Sequence, residues 1–123
     1  MTIIEALSQI DDRKHNTYSQ ADKIGWLSKL DGMVKRLVID THEGSDDVSF
    51  DGYNEDTDLE TVLLIPEPYD EVYLRWLETQ IDYANGEYGK YNNSAEAFNT
   101  VWKDFQNYYN RTHMPKGKKM RFF

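Results

Sequence analysis

The residues whose spacing could bind a metal ion lie between positions 47 and 58, in the segment DVSFDGYNEDTD. Counted from Asp47, side-chain oxygens fall at loop positions 1, 3, 5, 9 and 12, with Gly52 at position 6, as in a calcium-binding EF-hand loop. Position 8 is Asn54, where the EF-hand needs an apolar residue, and position 12 is Asp58 instead of the longer bidentate glutamate. The following TVLLIPEP is typical of a strand and not of a second helix. The pattern therefore favours a solvated acidic loop, and we predict no metal site.

Other residue types with catalytic potential are scattered along the chain. His15, His42 and His113 fall in linkers or at helix ends, and no His-x-x-x-His or Glu-x-x-His spacing connects them, so we interpret them as surface or capping residues. The sequence contains no Gly-x-Ser-x-Gly elbow, no Gly-x-x-x-x-Gly-Lys loop and no dinucleotide-binding glycine pattern. Because nothing combines a nucleophile, a base and an orienting group, we predict a protein that is not an enzyme, with no catalytic residue and no cofactor.

Composition and charge narrow the class of protein. The chain has 123 residues, 14 Lys and Arg against 22 Asp and Glu, and no cysteine, which predicts one domain without disulfide bonds. No apolar run reaches the roughly 20 residues that span a bilayer. The N-terminal residues also lack the basic start and apolar run of a signal peptide, so we expect a cytosolic protein without a membrane partner.

The charge is unevenly distributed. No Lys or Arg occurs between Glu43 and Asp70, whereas five occur from Arg111 onward without a single carboxylate. We expect the acidic body to repel nucleic acid over its surface. The basic tail is a separate contact element.

Two helices are predicted in the first third of the chain. Thr2 and Glu5 have the spacing of a capping box, and apolar residues recur one turn apart behind them, which predicts a short helix over 2–14. Ser19 and Asp22 begin a second, long helix over 19–42 in the same way. Its apolar stripe is widened by Trp26 and consists of Ile24, Leu27, Leu30, Val34, Leu37 and Val38.

The segment 46–65 has the character of β-structure. Val48 and Phe50 alternate with polar residues, Asp51-Gly52 is a turn pair, and a β-rich apolar run follows at 61–65. We predict a small β-hairpin insert with a long acidic loop. A lone hairpin is marginally stable, so it should pack on the helices or on another subunit.

The strongest periodic pattern lies in residues 69–110 and predicts a long helix or a helix pair. Apolar and aromatic residues alternate in steps of three and four, at Leu74, Leu77, Ile81, Ala84, Tyr88, Tyr91, Ala95, Phe98, Trp102, Phe105 and Tyr109. The turn-like Asn92-Asn93-Ser94 favours two helices that meet near Asn92, whereas the unbroken register favours one long, kinked helix. Such an aromatic seam exceeds what one small domain needs, which indicates self-association. We place these residues in a subunit interface or core seam: Trp26, Trp76, Tyr88, Tyr91, Trp102 and Tyr109.

The end of the chain is predicted to be an extended arm. Pro115 and Gly117 break any helix, and the last residues combine cations with two phenylalanines. We therefore divide the chain into a helical domain, 1–111, and a basic C-terminal arm, 112–123. The predicted fold class is mainly α: a small helical bundle with a β-hairpin insert and an extended arm.

Four segments of the chain resemble a known group of proteins. They are NTYSQADKIGWLSKLDGMV at 16–34, VIDTHEG at 38–44, IPEPYDEVYLRWLETQIDYANGEYGKYNN at 65–93 and NYYNRTHMPKG at 107–117. These segments are similar to the head–tail connector proteins, also called head-completion or adaptor proteins, of tailed phages and prophages of Gram-positive bacteria. The resemblance covers most of the chain, from about residue 2 to residue 117.

The resemblance implies a virion protein of the head–tail interface that is assembled in the host cytoplasm. Such proteins bind beneath the portal protein as a ring of about twelve copies of themselves. The ring extends the channel for genomic DNA, without sequence-specific binding, and presents a surface to a tail or stopper protein. Members commonly reach into the portal with the C-terminal segment, which implies a portal-binding arm made of Arg111, His113, Lys116, Lys118, Lys119, Arg121, Phe122 and Phe123.

Two other functions are compatible with the residues. The first is a cytosolic helical protein–protein interaction module or regulator without a role in the virion, which would bind a partner helix through its aromatic face. The second is nucleic-acid binding through the basic tail.

Overall fold

The computed structural model describes residues 1–116. Within them the chain forms four α-helices, α1 (Ile3–Arg13), α2 (Gln20–Met33), α3 (Glu71–Ala84) and α4 (Tyr88–Thr112). A π-helical turn, Val34–Ile39, continues α2, and a 3₁₀ turn, Ser45–Asp47, follows it. The prediction of a mainly helical protein is confirmed.

Helix α1 begins where the sequence predicts it. The Thr2 side chain accepts a hydrogen bond from the Glu5 amide at 3.2 Å, and the Glu5 carboxylate accepts one from the Thr2 amide at 2.8 Å. This reciprocal pair satisfies amides that have no partner inside the helix. The buried face of α1 consists of Ile3, Ala6, Leu7 and Ile10.

Helix α2 also begins at its predicted cap, but its end differs from a regular helix. The Ser19 hydroxyl accepts from the Asp22 amide at 3.0 Å. Near the end, the Asp40 amide donates to the Lys35 carbonyl at 2.8 Å, an i→i+5 bond that widens the turn. The wider turn shifts the register of the apolar stripe by about one residue, so Ile39 is buried while Leu37 is 54% exposed. The prediction placed Leu37 on the apolar stripe because it assumed a uniform α-helix.

The stretch 69–110 forms two helices, and the predicted position of the break is wrong. The chain turns at Asn85–Glu87, where Gly86 adopts φ +74, a left-handed conformation that glycine tolerates best. Asn92 lies inside α4, and so does Ser94, which does not cap a helix. The steps of three and four continue across the break because α3 and α4 pack antiparallel, with their apolar faces towards each other.

The predicted β-hairpin is wrong, since residues 46–65 form no strand. The structure has one isolated bridge here, between Thr2 and Val62. The segment instead lies against the start of α1, where the Ile3 amide donates to the Thr61 carbonyl at 3.0 Å and the Ile4 amide to the Leu59 carbonyl at 2.9 Å. The first amides of a helix have no acceptor within the helix. Here the carbonyl groups of the irregular segment accept from them, as they would accept from the amides of a partner strand.

The interior is one continuous core to which all four helices contribute. Its largest fully buried side chains are Tyr73, Phe105, Ile3, Ile10, Ile24, Leu27, Leu30, Ile65, Leu74, Leu77, Ile81 and Val34. Among the described residues, no helix combines the length and the apolarity needed to cross a lipid bilayer.

One charged side chain, Asp31, lies completely inside this core. Its carboxylate accepts hydrogen bonds from the hydroxyls of Tyr53 and Tyr73 at 2.6 Å each, and from the Leu64 amide at 3.1 Å. The Tyr73 hydroxyl also accepts from the Ile65 amide at 2.7 Å. Burial raises the pKa of Asp31, while these three donors oppose the rise by stabilising the carboxylate. The Asp31 cluster therefore connects α2, α3 and the irregular segment.

We expect Tyr73→Phe to destabilise the protein by about 2 kcal/mol, because it removes a bond to a buried carboxylate and leaves the Ile65 amide without its acceptor. The free energy of unfolding in urea is the measurement, with the slope against urea concentration unchanged. Tyr88→Phe, at an exposed position of α4, is the matched control and should change the stability little. Equal stability of the two variants would contradict the role of the Asp31 cluster.

The same cluster predicts a loss of stability in alkali. Burial, followed by the charge of Asp31, raises the pKa of Tyr53 and Tyr73 above the ordinary value of 10.0. A raised pKa in the folded state gives stability that is fully present below pH 10 and is lost above it, since the unfolded chain releases protons that the folded chain retains. Tyr73→Phe should reduce this decline by about 1.4 kcal/mol per pH unit, measured by urea unfolding between about pH 8 and pH 11. If the stabilities of the unmodified chain and of Tyr73→Phe fall in parallel with rising pH, the raised pKa of Tyr73 does not cause the loss.

Candidate functional site

The base of the C-terminal arm is bound to the body of the protein. After α4 ends at Thr112, residues 113–116 run antiparallel to residues 41–43. The Glu43 amide donates to the Met114 carbonyl at 2.8 Å, and the Lys116 amide donates to the Thr41 carbonyl at 3.0 Å. The Lys116 ammonium group donates to the hydroxyl of the buried Ser45 at 2.7 Å. Four consecutive residues of the predicted arm are therefore part of the folded body.

His42 lies beneath this pairing and joins it to α4. Its ring is 5% exposed, with Nδ1 at 2.6 Å from the Val38 carbonyl and Nε2 at 2.8 Å from the side-chain amide oxygen of Asn110. Each ring nitrogen therefore has a polar partner, one on the π-helical turn and one on α4. The bonding capacity of His42 is thus used in holding the π-helical turn against α4.

Two further rings fix the direction in which the chain leaves α4. Tyr109 and His113 stack with ring centroids 3.8 Å apart and planes 3° from parallel, and the His42 ring lies edge-on to Tyr109 at 4.9 Å. Partial burial of its ring raises the pKa of Tyr109. Since the stack spans the last turn of the helix and the first residue beyond it, the arm starts in one orientation.

The predicted arm residues are thus divided. Arg111 is exposed on the last turn of α4, His113 is half-buried in the ring stack, and Lys116 is exposed but bonded to Ser45. Five others lie outside the described residues: Lys118, Lys119, Arg121, Phe122 and Phe123.

Four of the six seam residues pack within the monomer. The Trp76 indole donates to the Trp26 carbonyl at 2.8 Å, and Trp102 stacks on Phe98 with centroids 5.9 Å apart. Tyr109 packs edge-on against Phe105 at 6.0 Å. All four are partly buried side chains that pack against the core.

The other two seam residues, Tyr88 and Tyr91, lie at the turn between α3 and α4. Together with Tyr83 they form a cluster that we call the tyrosine tip. The centroids of Tyr83 and Tyr91 are 5.3 Å apart, and those of Tyr83 and Tyr88 are 6.1 Å apart. Tyr83 and Tyr88 are 59% and 63% exposed, so this end of the seam faces solvent.

The tyrosine tip is held in place by a buried carboxylate. Asp82, which is 1% exposed, accepts from the Lys14 ammonium group at 2.7 Å and from the Ser94 hydroxyl at 2.9 Å. It therefore joins the end of α1 to both α3 and α4. On the adjacent loop, the Tyr18 hydroxyl donates to the Asn85 side chain at 2.6 Å.

The acidic segment, residues 43–70, uses some of its side-chain oxygens to accept hydrogen bonds from its own backbone. The Asn54 side chain accepts from the Asp56 amide at 2.8 Å, and the Asp58 carboxylate accepts from the Glu60 amide at 2.9 Å. Over residues 1–116, no three His, Cys, Asp or Glu side chains come together in a way that could hold a metal ion.

A shallow groove runs beside the arm base, between the π-helical turn and α4. It has a volume of about 220 Å³ and is lined by Leu37, Val38, Thr41, His42, Lys103, Gln106, Asn107 and Asn110. Its lining includes the hydroxyl of Thr41 and the amides of Gln106, Asn107 and Asn110.

No family model, curated protein or solved structure matches the chain.

Sequence reasoning missed the side chains that build these sites. Asp31 carries a readable signal, because it stands four residues after Leu27 and three before Val34, on the apolar stripe itself. A lone carboxylate at such a position indicates a buried hydrogen-bonded group. Asp82, Ser94 and Asn110 carry no such signal, since their partners come from distant elements.

We expect His42→Ala to loosen the arm base without unfolding the helices. It removes two buried hydrogen bonds and the ring against which Tyr109 packs, so the free energy of unfolding should fall by about 2 kcal/mol. Amide hydrogen exchange at Glu43 and Lys116 should accelerate, because these amides cross between the two segments. His15→Ala, at an exposed position, is the matched control. Unchanged exchange at Lys116 would show that His42 does not hold the arm base.

Proposed function

We propose that this protein is a structural head–tail connector of a tailed phage or prophage. In this role it binds the portal protein as a ring of copies, extends the DNA channel and offers a surface to a tail or stopper protein. The proposal combines the resemblance of the segments described above with a helical body that holds the first residues of the predicted basic arm. The protein acts in the virion after assembly in the host cytoplasm.

The observation that carries the proposal is the anchoring of the arm at its base. Hydrogen bonds from Glu43, Lys116 and His42 and the ring stack on Tyr109 fix where the chain leaves the body. The seven residues beyond Lys116 include three cations and two phenylalanines and no carboxylate. A tether with a fixed origin loses less freedom on binding than one that moves as a whole, which favours insertion into a defined partner site.

The ionisable groups inside the protein support a structural role. Asp31, Asp82 and His42 are all buried, and each spends its bonding capacity on joining helices or loops to one another. In a catalytic site such groups would be directed towards a substrate. We therefore propose no enzymatic activity.

The acidic segment suits the wall of a DNA channel. Asp46, Asp47, Asp51, Glu55 and Asp56 are exposed, and the sequence between Glu43 and Asp70 contains no Lys or Arg. Cations on such a wall would bind phosphate and hold the DNA, whereas carboxylates let it slide. We propose that this segment faces the channel.

The second candidate is a helical protein–protein interaction module without a role in the virion. The tyrosine tip favours it, because exposed tyrosines bury large areas with few rotatable bonds and are enriched at binding surfaces. The two functions differ in their partner, since only the connector binds portal rings.

We expect a chain truncated after Lys116 to keep its helices and to lose binding to the portal ring of its phage. The cut leaves residues 113–116 on the body, so the thermal unfolding midpoint should change little. Electron microscopy of portal rings mixed with the full chain should show an added ring of density, which the truncated chain does not form.

The double substitution Phe122→Ala and Phe123→Ala tests the apolar anchor separately from the charges of the arm. The control is Val62→Ala, at an exposed residue outside the arm. Binding of the truncated chain as strong as that of the full chain would refute the arm as the attachment element. If the full chain fails to bind its portal ring, the connector function itself is wrong.

A further inference from the structure

The tyrosine tip has the composition of a protein-binding surface. Residues 83–94 read YANGEYGKYNNS, in which Tyr, Asn, Gly and Ser predominate. This mixture occurs in antibody binding loops, where tyrosine supplies contact area and the small polar residues supply adaptable hydrogen bonds. Within residues 1–116, the other large exposed apolar side chains, Ile4, Leu37, Val62 and Met114, lie on other elements.

The surface is also preorganised. Asp82 binds both Lys14 and Ser94, and Tyr18 binds Asn85, so α1, the following loop, α3 and α4 all hold it in place. Because the backbone beneath the rings is already ordered, docking there costs little conformational entropy.

The charges of the tip are balanced, in contrast to those of the whole chain. Glu87 and Lys90 stand three residues apart at the start of α4 and form an ion pair at 2.9 Å. Lys14 and Asp82 pair beneath them. The chain as a whole has a formal net charge of −8, so two copies repel each other over most of their surface. At the tip the paired charges add little to this repulsion, so a second copy approaches there at a lower electrostatic cost.

We propose that the tyrosine tip docks on the tyrosine tip of a second copy of this chain, about a two-fold axis. In such a contact the same surface must complement itself. Tyrosine hydroxyls do so because each can both donate and accept a hydrogen bond. The charged pair does so as well, since a two-fold axis places Glu87 of each copy beside Lys90 of the other and makes a cluster of four alternating charges.

The area of the tip sets the strength of the contact. A stable interface buries about 800 Å² on each partner. Three partly exposed tyrosines with their neighbours provide less, so the dimer is weak, with a dissociation constant on the order of 100 µM. This inference does not depend on the connector function, because it concerns the chain before any portal is present.

The first experiment measures self-association by sedimentation velocity over about 10 µM to 1 mM chain. The unmodified chain should shift from monomer to dimer across this range. Tyr88→Ser should weaken the dimer about tenfold or more. Leu37→Ser, which removes a similarly exposed apolar side chain elsewhere, should leave it unchanged. A monomer at every concentration, or equal effects of the two substitutions, overturns the proposal.

The second experiment tests the two-fold arrangement by exchanging charges. Glu87→Lys and Lys90→Glu each place like charges opposite each other, so each variant alone should remain monomeric. Mixed together in equal amounts they should form a heterodimer, because one then presents two cations and the other two carboxylates.

Far-UV circular dichroism identical to that of the unmodified chain confirms that both variants fold. If the folded variants do not associate when mixed, the tip does not dock on its own copy and the proposal fails. The proposal also fails if the Glu87→Lys variant associates with itself as strongly as the unmodified chain does.

Discussion

The rest of the structure depends on one constraint, which is that the carboxylate of Asp31 is buried and no cation of residues 1–116 pairs with it. A charge in a protein core is costly unless hydrogen bonds replace those of water. Here the replacement comes from two tyrosines and a backbone amide, and two of these donors, Tyr53 and Leu64, belong to a segment with no helix or strand of its own. The same bonds that make Asp31 tolerable therefore order the irregular chain between the 3₁₀ turn and α3. Without them, residues 48–65 would be held to the helices only by their hydrogen bonds to the start of the chain and by the buried Leu63 and Ile65.

This dependence explains which parts of the fold could be predicted from the sequence. The starts of α1 and α2 were predictable because a cap and a periodic apolar face are local features, visible at Thr2 and Ser19. The hairpin prediction failed because the run at 61–65 has the residue types of a strand, while its hydrogen-bond partners are the start of α1 and the Asp31 cluster. The break between α3 and α4 was misplaced because Asn92 and Gly86 carry similar turn signals. Gly86 takes the left-handed conformation of the turn, whereas Ser94 lies inside α4 and binds the buried Asp82.

The candidate sites show the same limit. The aromatic seam was visible in the sequence, but its division into core and surface was not, since a continuous step pattern does not reveal where a helix turns back. Once the chain folds at Gly86, Trp76 and Trp102 pack between the two helices, and the rings nearest the turn remain exposed. Tyr83 was not predicted to belong to a site because it lies off the seam and joins Tyr88 and Tyr91 only through the geometry of the turn. The arm was predicted as one element, yet its first residues belong to the body, because His42 and Thr41 lie where α4 ends.

The two candidate surfaces stand at opposite ends of α4, and this separation allows them to act independently. A helix of 25 residues is about 37 Å long. The tyrosine tip lies at its first turn, and the arm base lies just beyond its last. Packing of α3 along α4 stiffens the helix between them, so contact at one end need not disturb the other. A second copy bound at the tip would therefore leave the arm base and the acidic segment accessible. Dimer formation through the tip and attachment through the arm are compatible in one molecule, because each is held by its own buried polar residue, Asp82 at one end and His42 at the other.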